Sequence, residues 1–430
     1  MTRYLFVDNF RGFTHVCVPI VDVNFCVGEN SSGKTSFLGL LKLLSTQEFI
    51  WTQKFSYEDV NFGHFHDMVS AHSSDRSYFS FGTIEDHPAG RQHGALAMLY
   101  TFKEHEGLAR LSQFTTIAGK HQIFLRFEGK NAYFKAKNLT RGTTAEDLKD
   151  IFPEWIAERA SDKSDYRQLA DSPHYRASDI YHLYFPLMAA IEQSQTGHGP
   201  SGLEYARQEL IWIAPIRTKP QRTYDDLSHS DFSAEGGHTP YLIRRVLHSE
   251  TEAKEFEVFI QRVGKASGLF ESIQIRNYGE SVAAPFEVDA VLDGKPLNLL
   301  TVGYGVSQSL PVFVEIITRP KGSWFAIQQP EVHLHPRAQA ALGDAFFEMA
   351  VADQKRFLIE THSDFTIDRF RMNYRKRVKK PNSQVLFFER KNKLNTVTPL
   401  VISTKGDLPL EQPDGYRRFF VKEEMRLLGL

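Results

Sequence analysis

The chain has 430 residues, 41% hydrophobic and 24% charged, with 51 Lys and Arg against 52 Asp and Glu. This is the composition of a globular protein with chain enough for a large core or for two or three domains. The near balance of charge supplies no bulk attraction for nucleic acid, so any such contact falls to local patches. No run of about eighteen apolar residues occurs, and Met1 to Phe6 is too short and mixed for a signal peptide. A cytoplasmic protein with no membrane partner is expected. Cys17 and Cys26 both lie in strand-like apolar surroundings and read as reduced core thiols.

In chain order, Leu5–Val7 and Val16–Val18 read as short strands. Val21, Val23, Phe25 and Val27 then alternate into Gly28-Glu29-Asn30-Ser31-Ser32-Gly33-Lys34-Thr35, a complete phosphate-binding P-loop. Its glycines let backbone N–H groups close around phosphate oxygens, Lys34 adds a point charge, and the Thr35 hydroxyl can ligate Mg²⁺. Ser36–Leu44 reads as an apolar-faced helix whose N-terminus points at the phosphates. The pattern predicts binding of ATP or GTP. Tyr78–Phe81 and Ala97–Tyr100 complete a strand-rich N-terminal lobe over 1–104.

Residues 105–208 are expected to form a mainly helical insertion. Helical periodicity covers Glu146–Arg159 and Asp179–Gln195, with Leu183, Phe185, Met188 and Ile191 as an apolar face, and Thr196–Gly202 reads as a loop. Dimerisation or partner docking is one use of such a block, and simple packing on one domain is the other. Residues 209–285 hold a strand at Leu210–Ile213, running into Ala214–Arg222, and helices at Thr239–Leu247 and Ala253–Val263. The last part, 286–430, alternates strands and helices through Gln384–Glu389 and ends in a basic helix. The nucleotide-binding fold is therefore discontinuous, drawn from both ends of the chain.

Three further motifs lie in that last part. Val302-Gly303-Tyr304-Gly305-Val306-Ser307-Gln308 puts small residues before the helix-like Ser309–Thr318, which suits phosphate contact. Trp324–Ile327 is an apolar strand ending in Gln328-Gln329-Pro330-Glu331, where a P-loop ATPase places its second acidic motif. Arg356–Glu360 is another strand, capped by Thr361-His362-Ser363. His333 and His335 are spaced i, i+2 with no third ligand at a recognisable spacing, which argues against a metal pair.

In this order, the motifs resemble those of ABC-type ATPases of the RecF/SMC/OLD (overcoming lysogenisation defect) group. Asp8–Phe13, Ala214–Arg217 and Gly406–Tyr416 look like the same group. The resemblance implies an α/β fold, an ABC-type P-loop ATPase with mixed sheets flanked by helices, in which two copies sandwich two ATP molecules. It implies that Asn30, Ser31, Ser32, Gly33, Lys34, Thr35 and Ser36 wrap the phosphates, with Thr35 on Mg²⁺. Gly305, Ser307 and Gln308 would act in trans as the signature, and His362 as the switch histidine.

The group usually has an acid at the end of the strand, where this chain has Gln328 in the Mg²⁺-side position and Gln329 in that of the catalytic glutamate. An amide accepts no proton from water, and loss of a general base costs roughly 10²–10⁴-fold in rate. Glu331 is the remaining candidate base. Two explanations stay open: an engineered Glu→Gln change at 328 that holds ATP, or a naturally slow, nucleotide-gated switch. No nuclease-like acidic cluster follows His362, so an effector nuclease or toxin is expected as a separate partner, by analogy with the two-component systems PARIS and Septu. Arg369, Arg371, Arg375, Lys376, Arg377, Lys379 and Lys380 form a basic patch, read as a phosphate-backbone contact, a docking face or a solvated helix face. The expected role is sensor and scaffold of a bacterial anti-phage complex triggered by DNA or a phage protein. The alternatives are a RecF-like repair ATPase and a non-hydrolysing scaffold.

Overall fold

The computed structural model describes residues 3–57, 59–86, 94–118, 120–129, 131–140, 142, 144–169, 183–194, 209–225, 231–281 and 283–416. The elements begin with β1 (Arg3–Asp8), β2 (Val16–Ile20), β3 (Val23–Gly28), α1 (Lys34–Ser45), α2 (Gln47–Thr52) and α3 (Phe65–Met68). Then come β4 (Tyr78–Asp86), β5 (Ala95–His105), β6 (Leu108–Ala118), β7 (His121–Glu128), β8 (Asn131–Asn138), α4 (Ala145–Leu148), α5 (Phe152–Ala157), β9 (Arg167–Gln168) and α6 (Tyr184–Gln193). The second half holds β10 (Leu210–Ile213), α7 (Thr239–Leu247), α8 (Ala253–Ser267), β11 (Ser272–Asn277), β12 (Phe286–Leu292), β13 (Lys295–Asn298) and α9 (Tyr304–Thr318). It closes with β14 (Trp324–Gln328), α10 (Pro336–Ala352), β15 (Arg356–Glu360), α11 (Asp364–Lys376), β16 (Ser383–Lys391) and β17 (Leu394–Val401). The fold is α/β, with mixed sheets flanked by helices.

The chain divides into two compact units. The first comprises Met1–Val21, Glu29–Glu209 and Phe388–Pro399. Its framework is an eight-stranded sheet in the order β2-β1-β4-β5-β6-β7-β8-β9, paired antiparallel throughout. One face carries a dense aromatic cluster: Phe10, Phe49, Phe55, Phe79, Phe81, Tyr100 and Phe102 pack edge-on or offset, at 4.9–6.5 Å between ring centres. Aromatic pairs prefer these arrangements, and they contribute beyond their buried area.

The mainly helical insertion expected over 105–208 is corrected here: β6, β7 and β8 occupy 108–138 as long antiparallel strands. Phe114, Ile123, Phe124, Leu125 and Phe134 are buried on them together with the polar Thr115, Thr116, Gln122 and Arg126, so both faces of these strands are covered in part and no clean alternation marks them in the sequence. The helix expected over Glu146–Arg159 is also broken. Thr144 caps α4, accepting from the Asp147 amide, and Pro153 sits in the first turn of a new helix, α5, where its missing N–H costs nothing. In α6 the buried face is Pro186, Leu187, Ala190 and Ile191, leaving Phe185 and Met188 half-buried. Residues 179–182 and 195, the loop Thr196–Gly202 and the basic helix after Tyr416 lie outside the described residues. Cys26 is a buried thiol as read, but Cys17 is exposed on β2, because alternate residues of that strand face outward.

The second unit comprises Asp22–Gly28, Leu210–Phe387 and Leu400–Leu430. Its main sheet has the order β10-β14-β15-β3-β16-β17, so residues from both ends of the chain meet in one sheet. β10, β14, β15 and β3 run parallel. All six residues of β3 are buried, as strands covered on both faces must be apolar. Asn24 is the exception within β3, and it is satisfied: its amide donates to Phe357 O, and its oxygen accepts from Gln384 at 2.8 Å. A three-stranded antiparallel sheet, β11-β12-β13, stands in the same unit.

A buried polar cluster joins α7 to α9. His238 Nδ1 accepts from the Ser233 amide, and its Nε2 meets Glu315 Oε1 at 2.6 Å, while Arg319 donates to the other oxygen at 2.7 Å. Burial pulls the Glu315 carboxyl upward, yet the donors from His238 and Arg319 leave it below its ordinary value. Its contribution to stability is therefore present above the ordinary carboxylate range and lost as pH falls through the lowered value. Glu315→Ala strands the buried histidine and is expected to cost about 3 kcal/mol, measured as a lower denaturant midpoint.

Candidate nucleotide site

The phosphate loop continues directly from β3. Ser31 and Gly33 both take left-handed backbone, at φ 61° and 98°, which folds the loop over the start of α1. Lys34 is buried, and its Nζ donates to Glu29 O at 2.8 Å; Ser32 Oγ donates to the same carbonyl at 2.7 Å. Asn30, Ser31 and Thr35 are exposed and Ser36 is half-buried. α1 runs twelve residues with no side-chain cap and no acid in its first turn. Uncapped N–H groups and the positive end of the helix dipole suit an anion.

In the second unit, the parallel register pairs Gln328 with Glu360 at the carboxyl ends of β14 and β15. Gln328 Nε2 donates to Glu360 Oε2 at 3.0 Å, and both side chains are buried. Gln329 adopts left-handed backbone at φ 42° and its amide donates to Glu360 O. The chain turns at Pro330 into Glu331. Its Oε1 accepts from the His362 amide at 2.7 Å, and its buried Oε2 has no protein partner. Burial pushes this carboxyl above its ordinary value, against the pull of the His362 amide.

Arg217 follows β10 and is 2% exposed. It donates from Nη2 to Gln328 O at 3.1 Å, and Nε and Nη1 have no protein partner. Burial pushes it down to about 10, with the charge of Glu331 opposing. Gln308 is buried and donates to Arg217 O at 3.4 Å. Ser307 Oγ donates back to Tyr304 O at 2.9 Å, in the first turn of α9 with Gly305.

Gln328, Glu331, His362 and Gln308 thus gather within one unit, and the loop Glu29–Thr35 stands in the other. Sequence reasoning missed Arg217 and Glu360 as members of this cluster. The only trace of Glu360 was an acid at the end of an otherwise apolar strand. His333 packs its ring on Tyr304 and His335 caps α10. Among the described residues no group of three or more His, Cys, Asp or Glu gathers as a metal cage. Mg²⁺ is commonly held by one or two carboxylates together with substrate phosphates, and within the second unit Glu360 and Gln328 carry oxygen atoms of the type it takes.

The basic patch is largely engaged within the chain. Arg369 pairs with Asp344, Arg371 with Asp368, and Arg375 with Asp407, while Lys380 donates to Thr404 O. Lys376, Arg377 and Lys379 are exposed. Such pairing weakens the patch as a phosphate-backbone surface. Arg375→Ala, Lys376→Ala and Arg377→Ala together are expected to change thermal stability by under about 1 kcal/mol, read as a near-constant melting midpoint.

Residues 239–368 match the family model described as "AAA domain, putative AbiEii toxin, Type IV TA system". The matched stretch holds Gly305, Ser307, Gln308, Gln328, Gln329, Glu331 and His362. Residues 239–368 are thus similar to an AAA domain, and the match leaves out the phosphate loop at 28–35. Among solved structures, the SMC head domain from Thermotoga maritima is similar at 12% identity and a TM-score of 0.41, over 93% of this chain and 98% of that one. An SMC head domain with a coiled coil and joint from Pyrococcus yayanosii gives 9% identity and 0.44, over 99% of each chain. An SMC head domain from Pyrococcus furiosus, bound to the C-terminal domain of ScpA, gives 11% and 0.41, over 99% of each. No curated protein sequence matches the chain. No helix among the described residues is long and apolar enough to cross a membrane.

Proposed function

We propose that this chain is an ABC-type ATPase working as a nucleotide-gated switch. ATP with Mg²⁺, held through Lys34 and Thr35, closes two copies across the Gly305–Gln308 turn of each, and slow hydrolysis lets them part. The observation that carries this reading is a complete phosphate loop in a chain whose second motif has amides at 328 and 329. Such a site is equipped to hold ATP and poorly equipped to consume it quickly. The closed state serves as sensor and scaffold in a bacterial anti-phage complex, restraining or releasing a separate nuclease or toxin. The description of the matched family, which names a toxin of a toxin–antitoxin system, supports that setting.

The test is mass measurement by light scattering with and without Mg·ATP, together with turnover. A dimer with ATP, turnover below about 1 s⁻¹, and loss of the dimer in Lys34→Ala are expected. Turnover at tens per second, or strong stimulation by DNA, would overturn the switch in favour of a processive or repair enzyme.

A further inference from the structure

A cavity of about 1000 Å³ lies wholly within the second unit, and none of the residues named above for the nucleotide lines it. Its size is that of a small-molecule site. We propose that it binds a small amphipathic monoanion, a molecule with an apolar or aromatic body and one acidic head such as a carboxylate.

The body is matched by one wall. Phe232, Tyr241, Leu242 and Pro320 line the cavity, from the segment before α7, from α7 itself and from the turn after α9. Leu242 is buried, whereas Phe232 and Tyr241 are half-buried, so the two rings keep apolar surface that an apolar ligand would remove from water. Packing sets both rings in advance. Phe232 lies 5.1 Å from the His238 ring and 5.0 Å from the Arg319 guanidinium, and Tyr241 stands edge-on to Phe286 at 5.4 Å.

The head is matched by arginines on the same cavity. Arg319 is tied to Glu315 through Nε alone, and its Nη1 and Nη2 make no hydrogen bond among the described residues. The planar fork is thereby held in place with its terminal donors unspent, which suits a carboxylate. Arg245 is exposed on the lining, with no ion pair among the described residues. Arg244 is fixed by Ala284 O at 3.0 Å, Ser281 O at 3.1 Å and the Phe286 ring at 4.6 Å. Two exposed acids, Asp231 and Glu280, share the lining. Three guanidiniums against two carboxylates favour a single negative charge and disfavour a polyphosphate. His238 adds no donor for the ligand, because Glu315 and the Ser233 amide occupy its two nitrogens.

The test titrates the full chain with 1-anilinonaphthalene-8-sulfonate, an aromatic monoanion, read by fluorescence, beside the uncharged N-phenyl-1-naphthylamine. The anionic probe is expected to bind at least tenfold more tightly than the neutral one. Arg245→Gln with Arg319→Gln is expected to weaken the anionic probe roughly tenfold or more and to leave the neutral probe as it was. Asn277→Trp, at an exposed lining position, is expected to weaken both probes at least tenfold by filling the cavity with every arginine kept. Arg245→Gln alone, at an exposed site, covers misfolding of the double variant and is expected to weaken the anionic probe severalfold. Equal affinity for the two probes, or unchanged affinity for the anionic probe in a folded arginine variant or in folded Asn277→Trp, overturns the assignment.

Discussion

Glu331→Gln is expected to lower ATP turnover by roughly 10²–10⁴-fold while ATP-driven pairing of two copies persists. On the proposed reading, positions 328 and 329 offer only amides, and Glu331 is the acid on that loop that would take a proton from water. Its setting suits the task. One oxygen is held by the His362 amide at 2.7 Å, and the other is buried without a protein partner. The first bond orients the carboxylate. Burial raises the carboxyl above its ordinary value, so ionisation, and with it base function, is lost as pH falls through a value above the usual glutamate range. The pH–rate profile should therefore lose activity on its acidic side earlier than a solvent-exposed glutamate would dictate. An acidic limb at the ordinary position, or unchanged turnover in the glutamine variant, would remove Glu331 from the role.

The second large effect is expected from Gly33→Ala. A Cβ at this position would lie 2.4 Å from Phe13 Cζ and 2.9 Å from Asn395 Nδ2, on backbone at φ +98°. Neither neighbour can yield easily. Phe13 is fully buried, and Asn395 donates to Arg11 O at 2.9 Å while its own amide donates to Gly12 O. Left-handed strain and overpacking each cost about 1–3 kcal/mol, and relief can come only from shifting the loop. ATP affinity is expected to fall at least a hundredfold, with a lower melting temperature, measured by calorimetric titration and thermal unfolding. Near-native ATP binding in this variant would show that the loop does not hold the phosphates in this conformation.

Legibility from sequence followed the range of the interactions concerned. β3, the phosphate loop and α1 were readable because alternation, glycine placement and helix periodicity are local signals. α7 was read with the bounds observed, Thr239–Leu247. The strands β6 to β8 were not readable, because Arg110, Gln113, Arg126, Lys135 and Lys137 interrupt the apolar pattern. What makes them strands is pairing with neighbours that the chain supplies elsewhere. The site divides the same way. Gln328, Glu331 and His362 sit in motifs, whereas the significance of Glu360 depends on facing Gln328 across a strand pair, 32 residues away. Arg217 was visible only as the end of a short motif, and its burial against Gln328 O belongs to tertiary packing.

The position of β3 between β15 and β16 has a consequence for synthesis. A strand ending at Gly28 must wait for partners ending at Glu360 and Lys391 before its hydrogen bonds can be made. During translation, at roughly 5–20 residues per second, the phosphate loop emerges tens of seconds before the strands that flank β3. β3 therefore stays unpaired until its partners near Glu360 and Lys391 have left the ribosome, and chains truncated before β15 should expose an apolar strand and depend on chaperones.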